Sequence, residues 1–418
     1  MIAVTDTSVK TGIAFYAPLK SPLHQTPSGD RKIARLFIQA LEQGGYHVEL
    51  ASQLRTFDKK GDSQRQQRLI ALAKKEATRI MRRWQKQGFS PQVWFSYHLY
   101  YKAPDLIGPI ICQTLNIPYI VAEASWAEKR AHGGWAQYHQ QVAIGLKLAS
   151  KVICINPIDK VALTEFYSQR QQSPSPLMSL NTFIDDLPAN NDEIFVVRAK
   201  NESVNSSKKS IEHSTQAMGV LTRKDLAEKY DLDSDLPWLV TIAMMRSGDK
   251  YHSYQQLSAV VDSLQQPYQL LIIGDGVMQT EVRTLFARHQ QVKFAGALEN
   301  SQIRQLLPHF ELLVWPAINE ALGMIFLEAQ QAGVAIVAGD QGGVSSIVKH
   351  NVTGILVDAY NAQAMSAIID ELLNAPAQLK VMQQAAKHYV TLHHSIAASA
   401  QLLNQAVQDA ITNKLESL

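Results

Sequence analysis

Residues 238–274 read WLVTIAMMRSGDKYHSYQQLSAVVDSLQQPYQLLIIG. An apolar, β-branched run opens the stretch (238–244), a second closes it (268–274), and a helical pattern near 253–265 separates them. Neither outer run alternates apolar with polar. Near-continuous apolar strands belong to parallel sheets covered on both faces by helices, so the stretch predicts a βαβ unit.

The same alternation extends outward in both directions. Further strands are predicted at 291–295, 311–315, 334–338 and 354–357, with helical patterns near 277–289, 300–307, 323–332, 343–349 and 361–373. In the first half strands are predicted at 12–17, 47–51, 93–97, 118–122 and 151–156, separated by helical patterns near 30–44, 62–88, 105–115, 134–149 and 157–168. Five or six strands per half predict an α/β protein of two Rossmann-like, doubly wound domains in tandem. The boundaries read as a first domain over 1–185, a linker over 186–236, a second domain over 237–392 and a C-terminal helix over 393–418 that can cross back to the first. The linker holds a polar, aromatic-poor stretch near 199–216, AKNESVNSSKKSIEHSTQ, which predicts a flexible insertion.

The composition is that of an ordinary globular protein: 418 residues, 46% apolar, net charge +3. That net charge hides a split. Residues 1–200 carry 25 basic and 16 acidic side chains, a surplus of +9, whereas residues 201–418 carry 15 and 21, a deficit of −6. Much of the surplus lies on the 62–88 helix, whose apolar face is Leu69, Ala73, Ala77, Ile80 and Trp84 and whose other face carries Lys74, Lys75, Arg79, Arg82, Arg83 and Lys86. That face reads either as a solvated helix surface or as a dock for anionic lipid or an anionic acceptor. The overall balance argues against a nucleic-acid partner. Cys112 and Cys154 sit in apolar runs and read as buried thiols of a reducing compartment. The N-terminal residues lack the pattern of a signal peptide, and no apolar run reaches the roughly 18 residues a spanning helix needs. The expected location is cytoplasmic, with the inner membrane face as a peripheral alternative.

Ligands of open parallel sheets bind beyond the carboxyl ends of the strands, so the loops there carry the functional signals. Arg246 and Lys250 follow the first strand of the second half, and two cations there can neutralise a diphosphate. The turn Ile273-Gly-Asp-Gly-Val-Met-Gln279 has Gly274 and Gly276 but no third glycine, which predicts a tight strand-to-helix turn rather than a dinucleotide site. Asp231-Leu-Asp-Ser-Asp235 precedes a strand, the wrong end of a sheet for a ligand, and reads as a solvated acidic turn. His393-His394 reads as a surface pair, and no cluster has metal-ligand spacing. In WPAINEALGMIFLE (315–328), Glu320 stands in a loop before a helix. Glu328 lies inside that helix in an apolar run that demands a partner. Gly323, Met324 and Ile325 offer first-turn N–H groups to an anion. Taken alone, the two glutamates fit a helix-dipole pair as well as a ligand site.

The surrounding motifs favour the ligand reading. The Glu-x7-Glu spacing, with Arg246 and Lys250, the Gly274-Asp-Gly276 turn, Val292-Lys-Phe-Ala-Gly296, Asp340-Gln-Gly-Gly-Val344 and Asn351-Val-Thr-Gly-Ile355, in that order along 235–390, resembles retaining glycosyltransferases of family 4. The first half is similar more loosely, through Pro27-Ser-Gly29-Asp30, through His98 beyond a strand, and through Glu123 beyond the next. The resemblance implies GT-B architecture, with two Rossmann-like domains facing a central cleft. It implies retaining, metal-independent hexosyl transfer from a nucleotide-diphosphate sugar to a hydroxyl acceptor in glycan, glycolipid or polysaccharide synthesis, with no cofactor. It casts Arg246 and Lys250 as diphosphate ligands, Gly29, Gly274, Gly323, Met324 and Ile325 as donor-binding positions, Glu328 on the ribose, Glu320 on the donor sugar, His98 at the sugar or incoming hydroxyl, and Glu123 on the acceptor side. A GT-B epimerase, a GT-B phosphorylase and an inactive nucleotide-sugar-binding protein are the rival readings. The first two lack their recognisable carboxylate set and cofactor lysine, and the third is disfavoured by the intact Glu320, Glu328, Arg246 and Lys250.

Overall fold

The computed structural model describes residues 10–26, 28–170, 175–185, 222–320 and 323–416. They divide into two compact units, residues 10–185 with 395–416, and residues 222–394.

In the first unit strands and helices alternate as β1 (Gly12–Tyr16), α1 (Gly29–Gln43), β2 (His47–Ser52), α2 (Ser63–Gln87), β3 (Val93–Leu99), α3 (Gly108–Leu115), β4 (Tyr119–Ala124), α4 (Ala136–Leu148), β5 (Ala149–Cys154), α5 (Pro157–Ser168) and β6 (Leu177–Ser179). The six strands are parallel, in the order β2-β1-β3-β4-β5-β6. The central strands are buried along nearly their whole length, as their unbroken apolar sequences demand. Helix starts are written in the sequence. The Ser28 side chain accepts from Arg31 N at 3.3 Å to open α1, and Asp62 accepts from Arg65 N at 3.0 Å to open α2. Between β3 and α3, the fully buried carboxylate of Asp105 accepts four hydrogen bonds, from Trp94 Nε1 (2.9 Å), Ile107 N (2.9 Å), Gly108 N (2.7 Å) and the Tyr119 hydroxyl (3.1 Å).

The second unit runs α6 (Arg223–Tyr230), β7 (Trp238–Ile242), α7 (Asp249–Ser263), β8 (Gln269–Ile273), α8 (Gln279–Leu285), β9 (Val292–Gly296), α9 (Asn300–Leu306), β10 (Leu312–Trp315), α10 (Met324–Gln331), β11 (Ala335–Gly339), β12 (Gly354–Val357), α11 (Ala362–Asn374) and α12 (Pro376–His393). Its parallel sheet has the order β12-β11-β10-β7-β8-β9. A last helix, α13 (Ile396–Glu416), belongs to the first unit, where it packs on α1 and β5. The Tyr46 hydroxyl bonds the Asn404 side chain and accepts from Gln408 Nε2 at 3.0 Å, and Lys151 Nζ pairs with Asp409 at 2.7 Å.

Several expectations needed correcting. The sixth strand of the first unit, β6, is three residues long and too short to show a period. The helical pattern at 343–349 is only a short 3-10 turn, Val344–Ser346. Helix α12, which buries Leu379, Met382, Ala386 and Val390 along one face, is an element that the expected helices do not include. His394 is buried against Tyr389, with ring centroids 5.3 Å apart, rather than lying on the surface. The insertion near 199–216 lies outside the described residues, as do Pro27, Ala321 and Leu322. Cys112 and Cys154 are free and buried, as expected.

Candidate functional site

Each sheet reverses its strand order once. In the second unit the chain fills the sheet from β7 through β8 to β9, then returns to lay β10 on the other side of β7. At such a switch point the loops after the two strands part and leave a crevice. Here they are the loop 243–248 after β7 and the segment 316–320 after β10, the stretches that carry Arg246 and Glu320.

Helix α7 starts four residues earlier than the periodicity implied, so Lys250 rides in its first turn rather than in the loop. The Lys250 ammonium pairs with the Glu320 carboxylate and lies 5.5 Å from the centroid of the Trp315 ring. The same helix anchors the opposing segment twice more. Ser253 Oγ accepts from Ile318 N at 3.1 Å, and Asp249 accepts from Asn319 Nδ2 at 3.1 Å. Within that segment Ala317 (φ +57°) and Asn319 (φ +51°) are left-handed, a strain that non-glycine residues adopt only where the surroundings impose it. Arg246 is exposed, and its guanidinium has no hydrogen bond or ion pair among the described residues, while its backbone N donates to Met244 O at 3.1 Å. The two cations therefore differ: one is held by Glu320, the other is open to an anion.

The glycines of the turn after β8 have a packing reason. A Cβ on Gly274 would fall on the carbonyl oxygen of Ala243, and one on Gly276 on that of Met245, so both glycines let β8 press against the loop that carries Arg246. That loop is pinned by hydrogen bonds from Met245 N to Asp275 O (2.7 Å) and from Met278 N to Met245 O (3.0 Å). Gly323, left-handed at φ +55°, is the N-cap of α10, ahead of the first-turn residues Met324 and Ile325, and Glu328 is half-buried on that helix. Gly342, at φ +56°, lies where a Cβ would strike the Glu320 carbonyl oxygen, which accepts from Gly343 N at 3.0 Å. Gly342→Ala forces a left-handed alanine, a backbone cost of about 1–2 kcal/mol, and displaces Glu320. The expected result is a lowered melting temperature and a more than tenfold loss of whatever turnover the site supports. A variant with wild-type turnover would remove Glu320 positioning from the site.

The first unit switches between β1 and β3. There His98, left-handed at φ +73° near the end of β3, places Nε2 3.5 Å from Asp30 in the first turn of α1 and Nδ1 4.0 Å from Glu123, itself left-handed at φ +58° near the end of β4. The His98 ring stacks on Tyr97 at 4.7 Å. Asp30 was not singled out from the sequence. Its signal was the N-terminal position on a helix that follows the first strand, where a carboxylate suits the dipole. A Cβ on Gly29 would meet nothing within 4 Å, so packing does not require that glycine.

Burial raises the Glu123 carboxyl above the ordinary range, opposed by the nearby His98 and reinforced by Asp30; burial likewise raises Asp159. A raised folded-state pKa gives a stability contribution that is present below the unfolded pKa and lost as pH rises through the folded one. Glu123→Gln is therefore expected to be more resistant to urea than wild type at neutral pH, with the gap closing as pH falls below the ordinary carboxylate range. A gap that widens toward acid would show that Glu123 is stabilised as the anion.

Residues 224–389, the second unit from α6 to near the end of α12, match the family model described as "Glycosyl transferases group 1". The GDP-mannose-dependent monoacylated alpha-(1-6)-phosphatidylinositol monomannoside mannosyltransferase of Corynebacterium glutamicum is 31% identical over 148 residues, 34% of this chain and 39% of that protein. The alpha-D-kanosaminyltransferase of Streptomyces kanamyceticus is 25% identical over 184 residues, 43% of this chain and 47% of that protein. The chain thus spans less than half the length of these curated relatives. Among solved structures, a glycosyltransferase from Rickettsia africae shares the fold at a TM-score of 0.64 and 15% identity, covering 97% of this chain and 99% of its own. HepE from Anabaena, solved in complex with UDP, gives 0.59 at 15% identity, covering 98% and 100%. The fold is the two-domain GT-B fold of glycosyltransferases, and its second unit, with Arg246, Lys250 and Glu320 at the switch point, is the part that matches the group 1 glycosyltransferase family.

Proposed function

We propose that the protein is a retaining glycosyltransferase that moves a hexosyl group from a nucleoside-diphosphate sugar to a hydroxyl acceptor in glycan, glycolipid or polysaccharide synthesis, without a metal. The observation that carries this reading is the Lys250–Glu320 pair beside the open Arg246 at the second unit's switch point. In this reading negative charge develops on the diphosphate as the glycosidic bond breaks. Arg246, Lys250 and the first-turn N–H groups of α10 stabilise it from fixed positions. Glu320 orients the donor sugar's hydroxyls and at the same time holds Lys250, Glu328 takes the ribose, and Gly274 shapes the loop under the phosphates. In the first unit His98, held between Asp30 and Glu123, is assigned to the sugar or the incoming hydroxyl, and Gly29 leaves room for a ligand to approach.

Thermal-shift measurements with UDP, GDP and ADP test the donor half of the proposal. One of them at 100 times its Kd is expected to add about 2.7 kcal/mol to the stability of the binding unit. The names of the relatives put GDP and UDP first in that panel. No stabilisation by any of the three, at millimolar concentration, would overturn the reading.

A peripheral contact with anionic membrane through α2 belongs to the same proposal, with the cytoplasmic side as the location. Arg65, Arg68, Lys75, Arg79, Arg82 and Lys86 are all exposed. Together with the 47%-exposed Leu72 they are spaced alternately by three and four, one outward stripe about 31 Å long. Each such cation near an anionic bilayer contributes about 1 kcal/mol. Among the described residues no helix is long and apolar enough to cross a membrane. Cosedimentation with phosphatidylglycerol vesicles, lost at least tenfold in the triple variant Arg68→Glu, Lys75→Glu, Arg82→Glu, is the expected result. Equal binding to neutral phosphatidylcholine vesicles would sink the electrostatic account.

A further inference from the structure

Three loops meet at the carboxyl edge of the first sheet: 53–62 after β2, 100–107 after β3 and 125–135 after β4. They are tied into one ledge. Asp58 N donates to Lys102 O at 2.8 Å and Thr56 Oγ1 to Pro104 O at 2.8 Å, and Gly134 lies where a Cβ would fall 2.5 Å from Gly61 O. The loops hold six Lys or Arg and four Asp or Glu. All four carboxylates are engaged by N–H donors. Asp58 accepts from Lys60 N (3.0 Å), Asp62 from Arg65 N (3.0 Å), Asp105 from the four groups described above, and Glu128 from Trp126 Nε1 (3.0 Å). None of the six cations has an ion pair among the described residues, whereas Arg79 and Arg83 on neighbouring α2 are paired with Glu76 and Glu49.

Three of these cations are held in place without being neutralised. The exposed Arg55 lies 4.8 Å from the Phe57 ring centroid and donates Nε to Leu19 O at 2.9 Å. Arg130 lies 4.9 Å and Lys102 5.7 Å from the Tyr101 centroid. An aromatic face orients a cation for about 0.5–1 kcal/mol and leaves its charge for an anion. Tyr100 connects the group to the switch point, its ring 5.7 Å from that of Tyr101 and 5.7 Å from that of His98. Burial, Asp30 and Tyr101 push the Tyr100 phenol up to about 12, with Arg55 opposing, so it stays a neutral hydroxyl within Coulomb reach of Arg55. That hydroxyl has no hydrogen-bond partner among the described residues. The charges are also sorted along this line. Asp30 and Glu123 flank His98, whereas the cations flank the two tyrosines. A ligand with a hydroxyl at His98 and an anion at the tyrosines fits that order, and the reversed ligand meets like charges. A phosphate ester carries about −1.5 to −2, more than a carboxylate, and its oxygens match the guanidinium fork, so three neighbouring unpaired cations favour phosphate.

We propose that the ledge of Arg55, Tyr100, Lys102 and Arg130 binds a phosphate group carried by the acceptor, one or two sugar residues from the hydroxyl that meets His98. The inference rests on the glycosyltransfer reading and narrows its acceptor to a phosphate ester, supplied by a free sugar phosphate or by a lipid headgroup. The ledge is separate from the basic stripe of α2, since none of its four residues lies on that helix.

Isothermal titration of the full chain with glucose 1-phosphate, glucose 6-phosphate and monomeric dihexanoyl phosphatidylglycerol, without nucleotide, tests the proposal. At least one is expected to bind, and glucose is not. The double variant Arg55→Gln, Lys102→Gln should bind at least tenfold more weakly, as should wild type in 1 M salt, where the Debye length is about 3 Å. Arg246→Gln, which alters the phosphate site of the second unit, should bind as wild type does. The exposed Arg55→Gln alone, at least threefold weaker, is decisive should the double variant unfold. A preference for the glucose phosphates puts the phosphate on a free sugar and a preference for the phospholipid puts it on a lipid, and either supports the ledge. Binding of none of the probes, equal binding to the Arg55 and Lys102 variant, or a loss confined to Arg246→Gln overturns it. Glucuronate bound as tightly as the phosphates overturns the choice of phosphate. Phosphate on the ledge without stabilisation by any nucleoside diphosphate supports the ledge and counts against the glycosyltransferase reading. Stabilisation by a nucleoside diphosphate with no phosphate on the ledge does the reverse, so the two failures are distinguishable.

Discussion

Lys250→Ala is expected to lower the rate of sugar transfer about 10²–10³-fold, the effect of removing one fixed donor that faces a developing negative charge, or about 3–4 kcal/mol of barrier. The loss has two sources in this site. The ammonium beside the diphosphate is gone, and Glu320, which pairs with it, loses the group that aims its carboxylate. Glu320→Ala should fall at least as far, because it removes the contact to the sugar and frees the lysine to swing. The two losses should not add in the double variant, since each single change already dismantles the same pair. Both side chains are about four-fifths buried yet still reach solvent, so water can hydrate the charge that either variant leaves behind and melting temperatures should fall far less than activity. Lys250→Arg is not expected to rescue, because a planar fork replaces a compact charge seated against Trp315. Turnover with the nucleotide sugar identified by thermal shift decides the matter. Wild-type turnover in either single variant would remove the pair from the mechanism.

Asp105→Ala should be the most damaging substitution for stability outside the second unit. It strips the acceptor from an indole N–H, a phenol and two backbone N–H groups that are shut away from water. Leaving one such donor unsatisfied costs about 1–3 kcal/mol, and partial relaxation sets the expected total near 3–5 kcal/mol. Burial raises the pKa of this carboxyl, opposed by the bonds from Gly108, Ile107 and Trp94, so ionising it costs the folded state and part of its worth is already spent. Asp105→Asn, which keeps one acceptor oxygen, should therefore lose much less than the alanine variant. Urea unfolding followed by tryptophan fluorescence checks this, with the early transition assigned to the first unit. An alanine variant within 1 kcal/mol of wild type would mean that water replaces the carboxylate.

The chain announced its sheets because each strand is a local object. The run at 238–242 is apolar at four of its five residues and β-branched at three, and that needs no knowledge of its neighbours. The β6 strand has only three residues, half exposed, and its assignment comes from β5 beside it. The site divides in the same way. Arg246, Lys250, Glu320 and Glu328 stood out by type and spacing, but the pairing of Lys250 with Glu320 across 70 residues follows from strand order, which periodicity does not encode. The same holds for Asp30, 68 residues from His98. The left-handed backbones of His98, Glu123, Ala317 and Asn319 were equally hidden, since none of these residue types requires that conformation.

Helix α13 gives the protein an order of assembly. Leu403, Ala406, Val407 and Ala410 are buried in the first unit, and Ile184 bridges to Ser395. A ribosome delivers residues 10–185 first, yet the surface of α1 that α13 covers stays bare until residue 416 has been made. The second unit, whose described residues end at 394, is complete while the first is still waiting. The first sheet to be synthesised is thus the last to be sealed. During synthesis its exposed face is a part of the molecule in need of a chaperone, and it closes only once α13 has emerged from the ribosome.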